Sequence, residues 1–364
     1  AAERASIEGR TPQRVAPDVA LGSGGFAADL APTDALIAVA DGQGGWVVAE
    51  TLAEARTAAG KVQGRRTTAT HRHPLELPAG EWDAALRTTW VDGAYLETDA
   101  SWCAPGAEPA STVANGGAFG AKTTGDGGGL GPAFDVGGVA RRLADEHGRS
   151  VLVLASREDV ARSSPKRPPV AGGMRADGTG ILRIVDTPGR LDGIVEAIQS
   201  VAPGLDVELV EVPGPPTSAE VRAAGWAEAA VLTAGATGQL DPVRSPDGAE
   251  ATAAIDDDGT IRVSVRCGRI LDATVLRSYC IGAAHMAWSW LTSEAMLVDE
   301  EGTVHDLTVR SFGVLRAIDT PPIVVDLLDD DGPAVNGSDA VFAAVAAAGW
   351  LALDRQPDWP ITVA

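Results

Sequence analysis

Ser278 to Met296 reads SYCIGAAHMAWSWLTSEAM, and no other stretch constrains the fold so tightly. Apolar or small residues occupy almost every side of it at helical spacing, with His285 and the hydroxyls of Ser278 and Ser289 as its few polar points. A helix that is apolar on most faces has to be buried on most faces, so other elements must pack around it. Gly282, Ala283, Ala284 and Ala287 leave room for close backbone approach, while Trp288 and Trp290 bring large apolar area to the same segment. Directly afterwards LVDEEGTVHDLTVRSF alternates apolar and polar residues on both sides of Asp299-Glu300-Glu301-Gly302, which is the pattern of a β-hairpin.

Such a helix needs a body around it, and 364 residues suffice for a sizeable core and for two domains. Hydrophobic residues at 45% and charged residues at 22% are ordinary for a folded chain. A formal net charge of −21 excludes a phosphate backbone as the expected partner, because nucleic-acid affinity rests on Lys and Arg neutralising phosphates. The same charge disfavours anionic membrane surfaces. No segment approaches the roughly 18 consecutive apolar residues of a spanning helix. Ala1 to Asp18 lacks the basic-then-apolar layout of a signal peptide, so a cytoplasmic protein is expected. Cys103, Cys267 and Cys280 are widely spaced without a C-x-x-C pair and read as buried free thiols. They are too few for an iron-sulfur cluster with four cysteine ligands.

Along the chain, Ala35 to Ala40 and Gly45 to Glu50 read as strands, followed by a helix from Thr51 to Ala59. Arg65 to Pro78 is a polar, basic loop whose His71 and His73 have no acidic or cysteine ligand nearby, so a solvated loop is expected rather than a metal site. Trp82 to Trp102 alternates like a strand pair with Asp92-Gly93 at its turn. Asp135 to Glu146 is a helix stopped by Gly148, Ser150 to Leu154 a strand, and Ser156 with Asp159 caps a further helix. VAGGMRADGTGILRIV (170–185) and ATAAIDDDGTIRVSV (251–265) are two alike hairpins with D-G-T turns, each followed by a helix. They suggest two related halves that meet near Gly235 to Asp247. Val207 to Val212 is a strand, and Thr217 with Glu220 forms a capping box. Pro322 to Leu328 reads as a buried strand, Val341 to Ala348 as a small-residue helix capped by Ser338, and the chain from Gln356 as a polar tail.

The run from Leu276 to Pro322, with IGAAHMAWSWLTSE and VDEEGTVHDLTVRSFGVLRAIDTPPI, resembles the late part of the molybdopterin-binding large subunit of the xanthine dehydrogenase and aldehyde oxidase family, the molybdenum hydroxylases. In that family a glycine-bearing helix leads into a hairpin with a D-x-x-G turn, and a short aromatic segment ends in D-x-P-x-I. Earlier segments are similar too: Arg14 to Pro17 with Phe26 to Leu30 looks like the subunit's start, and Val47-Val48-Ala49-Glu50-Thr51 like its first strand-helix junction. The segment Asn115 to Lys122, NGGAFGAK, is similar to the family's G-G-x-F-G-x-K, and the helix, strand and R-E-D that follow it continue the likeness. Glycines there remove Cβ and let main-chain N–H groups approach an anionic or flat ligand. A mobile connector would look the same by composition. GDGGGLG (125–131) fits no G-x-G-x-x-G frame, which disfavours a Rossmann dinucleotide site.

The resemblance implies a mixed α/β, or α+β, fold: a small N-terminal α/β domain over 1–110, then mixed sheets with packed helices in two molybdopterin-binding-like halves, 111–240 and 241–364. It implies molybdenum-molybdopterin as cofactor, contacted by Gly116, Gly117, Phe119 and Gly120, with no iron-sulfur cluster or flavin on this chain. Implied partners are iron-sulfur and FAD subunits on separate chains, or a full-length homologous subunit, and a small heterocycle or aldehyde as substrate. The family's base is a glutamate in a G-x-G-E stretch close to the C-terminal end. Here that place reads Ala334-Val335-Asn336-Gly337-Ser338-Asp339, so the glutamate is absent and Asp339 is the nearest carboxylate, one methylene shorter. Ser338 and Asp339 fit equally the N-cap and first turn of a helix. The chain is about half the usual subunit's length; of the missing middle, Arg222 to Gly225 (RAAG) is the one candidate remnant. On the buried helix His285 is either a hydrogen-bonded core histidine or a polar group facing a cofactor cavity. The alternative to an active subunit is one that keeps the fold without cofactor and serves structure or assembly.

Overall fold

In a computed structural model, residues 3, 6–7, 17–22, 24–60, 71–94, 96–110, 121, 135–187, 191–328 and 330–362 are described. They belong to two compact units. Unit 1 comprises Ala1–Thr68, Gly93–Pro165 and Val304–Thr308; unit 2 comprises Ala69–Asp92, Lys166–Thr303 and Val309–Ala364. The three domains implied by the resemblance, 1–110, 111–240 and 241–364, are a proposal beside this grouping by contact.

Unit 1 is built on strands β1 (Leu36–Ala40), β2 (Trp46–Ala49), β4 (Ala100–Cys103) and β5 (Val151–Leu154) in the order β2-β1-β5-β4. β5 runs parallel to β1 and antiparallel to β4. A continuous apolar run, VLVL, suits this central place, because both of its faces are covered. Helix α1 (Leu52–Ala59) starts at a capping box in which Thr51 and Glu54 serve each other's backbone N–H. Helix α2 (Val136–His147) turns Val136, Ala140, Leu143 and Ala144 inward, is capped by Asp135, and ends on Gly148 in the left-handed conformation. Helix α3 (Arg157–Ser163) has the expected Ser156–Asp159 capping box.

Unit 2 repeats one topology. Strands β6 (Val170–Met174) and β7 (Gly180–Asp186) form a hairpin, helix α4 (Ile194–Val201) crosses over, β8 (Leu205–Glu211) adds parallel to β7, and helix α5 (Trp226–Thr237) follows. Strands β10 (Glu250–Ile255) and β11 (Ile261–Arg266), helix α6 (Ala273–Thr292), strand β12 (Ile323–Leu328) and helix α7 (Gly337–Ala352) do the same. Strand β3 (Ala84–Arg87) lies antiparallel beside β6, and β9 (Val243–Arg244) antiparallel beside β10. The two D-G-T turns are alike in detail. Thr179 N–H donates to Asp177 Oδ1 (2.9 Å), Thr260 N–H to Asp258 Oδ1 (3.0 Å), and Gly178 and Gly259 both take φ +83°.

The helix buried on all sides is α7, whose residues from Val341 to Trp350 are all buried against α5, α6 and β10. Alanine makes this possible by keeping neighbouring backbones close. A Cβ on Gly235 of α5 would stand 2.3 Å from the Trp350 ring, and one on Gly349 would stand 2.7 Å from Leu291. The Trp-rich helix is placed differently from the sequence reading. It starts at Ala273, capped by Asp272, and ends at Thr292, and its buried residues begin only at Cys280. Its first two turns face outward, which is the origin of its polar Arg277 and Ser278.

Other expectations need correction. After α6 the turn exists, with Asp299 N–H donating to Thr303 O at 3.1 Å, but no strand ladder flanks it among the described residues. Trp82 to Trp102 is no hairpin: β3 pairs in unit 2 and β4 in unit 1, and the chain changes unit at Asp92-Gly93. Thr217 caps nothing; α5 begins nine residues later, after Gly225. β12 is an edge strand with Val324, Asp326 and Leu328 exposed, not a buried one. α7 is capped by Asn336 rather than Ser338. The polar tail carries Trp359 into the core, with ring centroids 4.6 Å from Trp290 and 6.2 Å from Trp350. It is held by hydrogen bonds of Trp359 N–H to Arg87 O (3.0 Å) and Ile361 N–H to Leu291 O (2.8 Å).

The Trp359 indole N–H is buried without a hydrogen-bond partner among the described residues. Its contribution is therefore packing. Trp359→Ala is expected to destabilise unit 2 by about 3–5 kcal/mol. Trp359→Phe, which keeps one aromatic ring and loses the rest of the indole's volume with its unused donor, should cost less than Trp359→Ala, read as shifts of the denaturation midpoint followed by circular dichroism.

Candidate functional site

Gly116, Gly117, Phe119 and Gly120 lie outside the described residues, so the cofactor segment stays where the resemblance left it. Asp339 is described. It sits in the first turn of α7, where the Asn336 side chain accepts from Ser338 N–H (3.1 Å) and Ser338 Oγ donates to Asn336 Oδ1 (2.8 Å). Negative charge is favourable at this helix end. The RAAG segment delivers Arg222 to the same place. Its backbone turns through positive φ at Ala223 (+55°) and Gly225 (+78°), and a Cβ on Gly225 would stand 2.9 Å from Ile194 and Ile198.

Arg222 Nε lies 3.2 Å from Asp339 Oδ1, Nη2 3.4 Å from Ser338 Oγ, and Nη1 3.4 Å from the Met286 sulfur of α6. The guanidinium is 7% exposed and the Asp339 side chain 26%. A general base must present a free oxygen within hydrogen-bond reach of its target. Asp339 Oδ1 is engaged by the buried Arg222 guanidinium and by Ser338 Oγ, on a side chain one methylene shorter than the family's glutamate.

His285 is half-buried and its Nδ1 lies 2.9 Å from Thr320 Oγ1, the arrangement of a hydrogen-bonded core histidine. Burial holds its imidazole below the usual range. His73 is not a solvated loop residue, since its Nε2 lies 2.9 Å from Trp359 O. Among the described residues no three His, Cys, Asp or Glu side chains are grouped to hold a metal. The three cysteines are buried and free. Burial raises the thiols of Cys103 and Cys267 and pushes Cys280 up to about 12, so none of them is a nucleophile near neutrality. A cleft of about 190 Å³ in unit 2 is lined by Val201, Thr233, Thr237, Leu240, Val243 and Ala344 among others. No residue assigned by resemblance lines it.

The groups that sequence reasoning missed lie in SSPKRPP, a stretch that looks like a basic surface loop. Lys166 Nζ is 2.9 Å from Asp92 Oδ2, and both side chains are enclosed. Arg167 grips Glu228 of α5 through Nε and Nη2, both at 2.9 Å, and donates from Nη1 to the Arg222 carbonyl at 2.6 Å. Its Cζ lies 4.1 Å over the Trp290 ring and 4.9 Å over Phe342. Burial pulls the Lys166 ammonium below its ordinary range, with Asp92 opposing. Glu294, just beyond α6, is pushed up to about 7, first by burial and also by the Asp92 charge, against Ser289 and Arg167. The signal in the sequence was the unbroken proline framing of Lys166-Arg167, which bars a flexible basic tail but does not reveal burial.

No protein-family model and no curated protein matches the chain. Solved structures do. Quinoline 2-oxidoreductase from Pseudomonas putida 86 is similar with a TM-score of 0.55 at 11% identity, over 87% of this chain and 84% of that one. Reconstituted CO dehydrogenase from Oligotropha carboxidovorans is similar with a TM-score of 0.51 at 8% identity, over 75% and 72%. A Cu,Mo-CO dehydrogenase in its carbon monoxide reduced state scores 0.49 at 8% identity, over 75% and 73%. At such identities the likeness is one of fold, and the first two carry it. The fold that the resemblance implied, that of the molybdenum hydroxylase large subunit, is the fold this chain has.

Proposed function

We propose that the chain is a molybdopterin-binding subunit of an oxidoreductase complex of the xanthine dehydrogenase and aldehyde oxidase type, with a heterocycle or aldehyde as substrate class. The observation that supports this most is the fold likeness to quinoline 2-oxidoreductase over 87% of the chain. Gly116, Gly117, Phe119 and Gly120 would approach the cofactor through main-chain N–H groups. Electrons would leave through iron-sulfur and FAD subunits on other chains, or the chain would pair with a full-length homologous subunit. Asp339 Oδ1 is paired with Arg222 on a side chain one methylene shorter than the family's base, and no hydroxylation step is assigned to it. No described helix is long and apolar enough to cross a membrane.

Purification of the chain with its co-expressed neighbours, followed by elemental analysis for molybdenum and fluorescence assay of released pterin, is expected to give both in proportion to the chain. A complex containing neither would sink the proposal and leave a structural or assembly subunit. Asp339→Ala is expected to leave the metal content unchanged while destabilising unit 2 by about 1–3 kcal/mol. That range is discounted from a fully buried pair for the carboxylate's partial exposure, and chemical denaturation measures it. Asp339→Glu is expected to bring no metal-dependent activity that the parent lacks, since the guanidinium would hold the longer carboxylate too.

A further inference from the structure

The cleft of about 190 Å³ in unit 2 lies where the two repeated halves meet, between α4 and α5 of the first and β9, β10 and α7 of the second. The buried part of its lining is alanine: Ala230 and Ala234 of α5, and Ala344 and Ala347 of α7. Side chains that stop at Cβ on two packed helices leave this space open. General looseness does not explain it, since one residue from Ala234 a Cβ on Gly235 would stand 2.3 Å from the Trp350 ring. The volume sets the size of an occupant. An apolar cavity of roughly 150 Å³ takes one benzene ring, whereas clefts for drug-sized ligands start at about 300 Å³. One ring with a short arm fits here, and a fused cofactor does not.

The polar groups at the mouth set its chemistry. Thr233 Oγ1 donates to Ala229 O at 2.9 Å, Thr237 Oγ1 to Thr233 O at 2.9 Å, and Ser200 Oγ to Ala197 O at 2.8 Å. Each hydroxyl commits its single proton to its own helix and keeps only lone pairs for anything in the cleft. Arg244 is turned onto Glu250 through Nε (3.0 Å) and Nη2. Gln239 can present either end of its amide, and Asp241 adds an exposed carboxylate. With the Arg244 charge met by Glu250, the mouth accepts hydrogen bonds and is negative.

We propose that this cleft binds a small aromatic amine, with one ring against the alanine floor and the ammonium group at the mouth, donating to the threonine hydroxyl oxygens and facing Asp241. A carboxylate of the same shape is rejected, because it would set acceptor against acceptor and add negative charge beside Asp241 on a chain of net charge −21. The site goes beyond the proposed function. No residue assigned to the cofactor lines it, so the two readings stand or fall separately.

Saturation-transfer NMR of the full chain with benzylamine tests the site, with benzoate as the probe of like shape and opposite charge. Benzylamine is expected to bind saturably with a Kd of about 1 mM or tighter, and benzoate not at all. Ala234→Leu fills the floor without changing any charge and is expected to weaken benzylamine at least about tenfold. Should that variant fail to fold, Thr237→Trp at the exposed mouth takes its place. Asp241→Asn, at a solvated carboxylate, is expected to weaken benzylamine by about threefold. A signal that never saturates, or equal binding of the two probes, overturns the proposal. So does benzylamine binding that survives the filling variant or Asp241→Asn unchanged, since attraction of any cation to an acidic chain would then account for it.

Discussion

The Arg167 guanidinium is the joint on which unit 2 depends. Two parallel hydrogen bonds fix it to Glu228 on α5, its face lies on Trp290 of α6 and Phe342 of α7, and a further donor reaches the Arg222 carbonyl. One side chain thereby orients three helices and the RAAG turn. Arginine alone offers a planar fork that can pair with a carboxylate and lie on an aromatic ring at once, and a lysine here would lose the fork. The bare desolvation of this pair is unfavourable, and it is offset by partners for four of the five guanidinium donors and by the rings beneath them.

Hydrophobic rhythm and turn chemistry made much of the fold legible. Strands β1, β2, β5, β6, β7, β10 and β11, the helix that begins at Thr51, the cap at Ser156 and both D-G-T turns follow from local residues, because their determinants lie within a few positions of each other. Errors arose wherever a partner far along the chain decides. β3 and β4 have strand patterns but pair in different units, and nothing local distinguishes that from a hairpin. The alanines of α7 have no amphipathic face to betray burial, and Trp359 enters the core from a stretch that composition marks as a polar tail. Lys166 and Arg167 are the extreme case. Charged residues between prolines are read as solvated unless their distant partners, Asp92 and Glu228, are already known.

The candidate site shows the same division. Arg222, Ser338 and Asp339 were each visible, but their meeting was not, because the RAAG turn and the first turn of α7 are brought together only by the repeated hairpin-helix-strand-helix topology. That meeting changes the chemistry inferred. A lone aspartate at the place of a glutamate invites a catalytic role, whereas an aspartate held by a buried arginine beside an N-cap is part of how α7 begins.

An alanine surface is nearly featureless, so ridges and grooves specify helix register weakly in a core of this composition. Two kinds of contact remove the freedom to slide. Trp350 against Gly235 and Leu291 against Gly349 are fits that a one-residue shift would turn into clashes. The ion pairs Arg167–Glu228 and Arg222–Asp339 act the other way, since a shift would leave a buried charge without its partner. Steric exclusion and electrostatic penalty thus select the same register independently. That agreement lets a core made largely of alanine hold charged groups in fixed geometry.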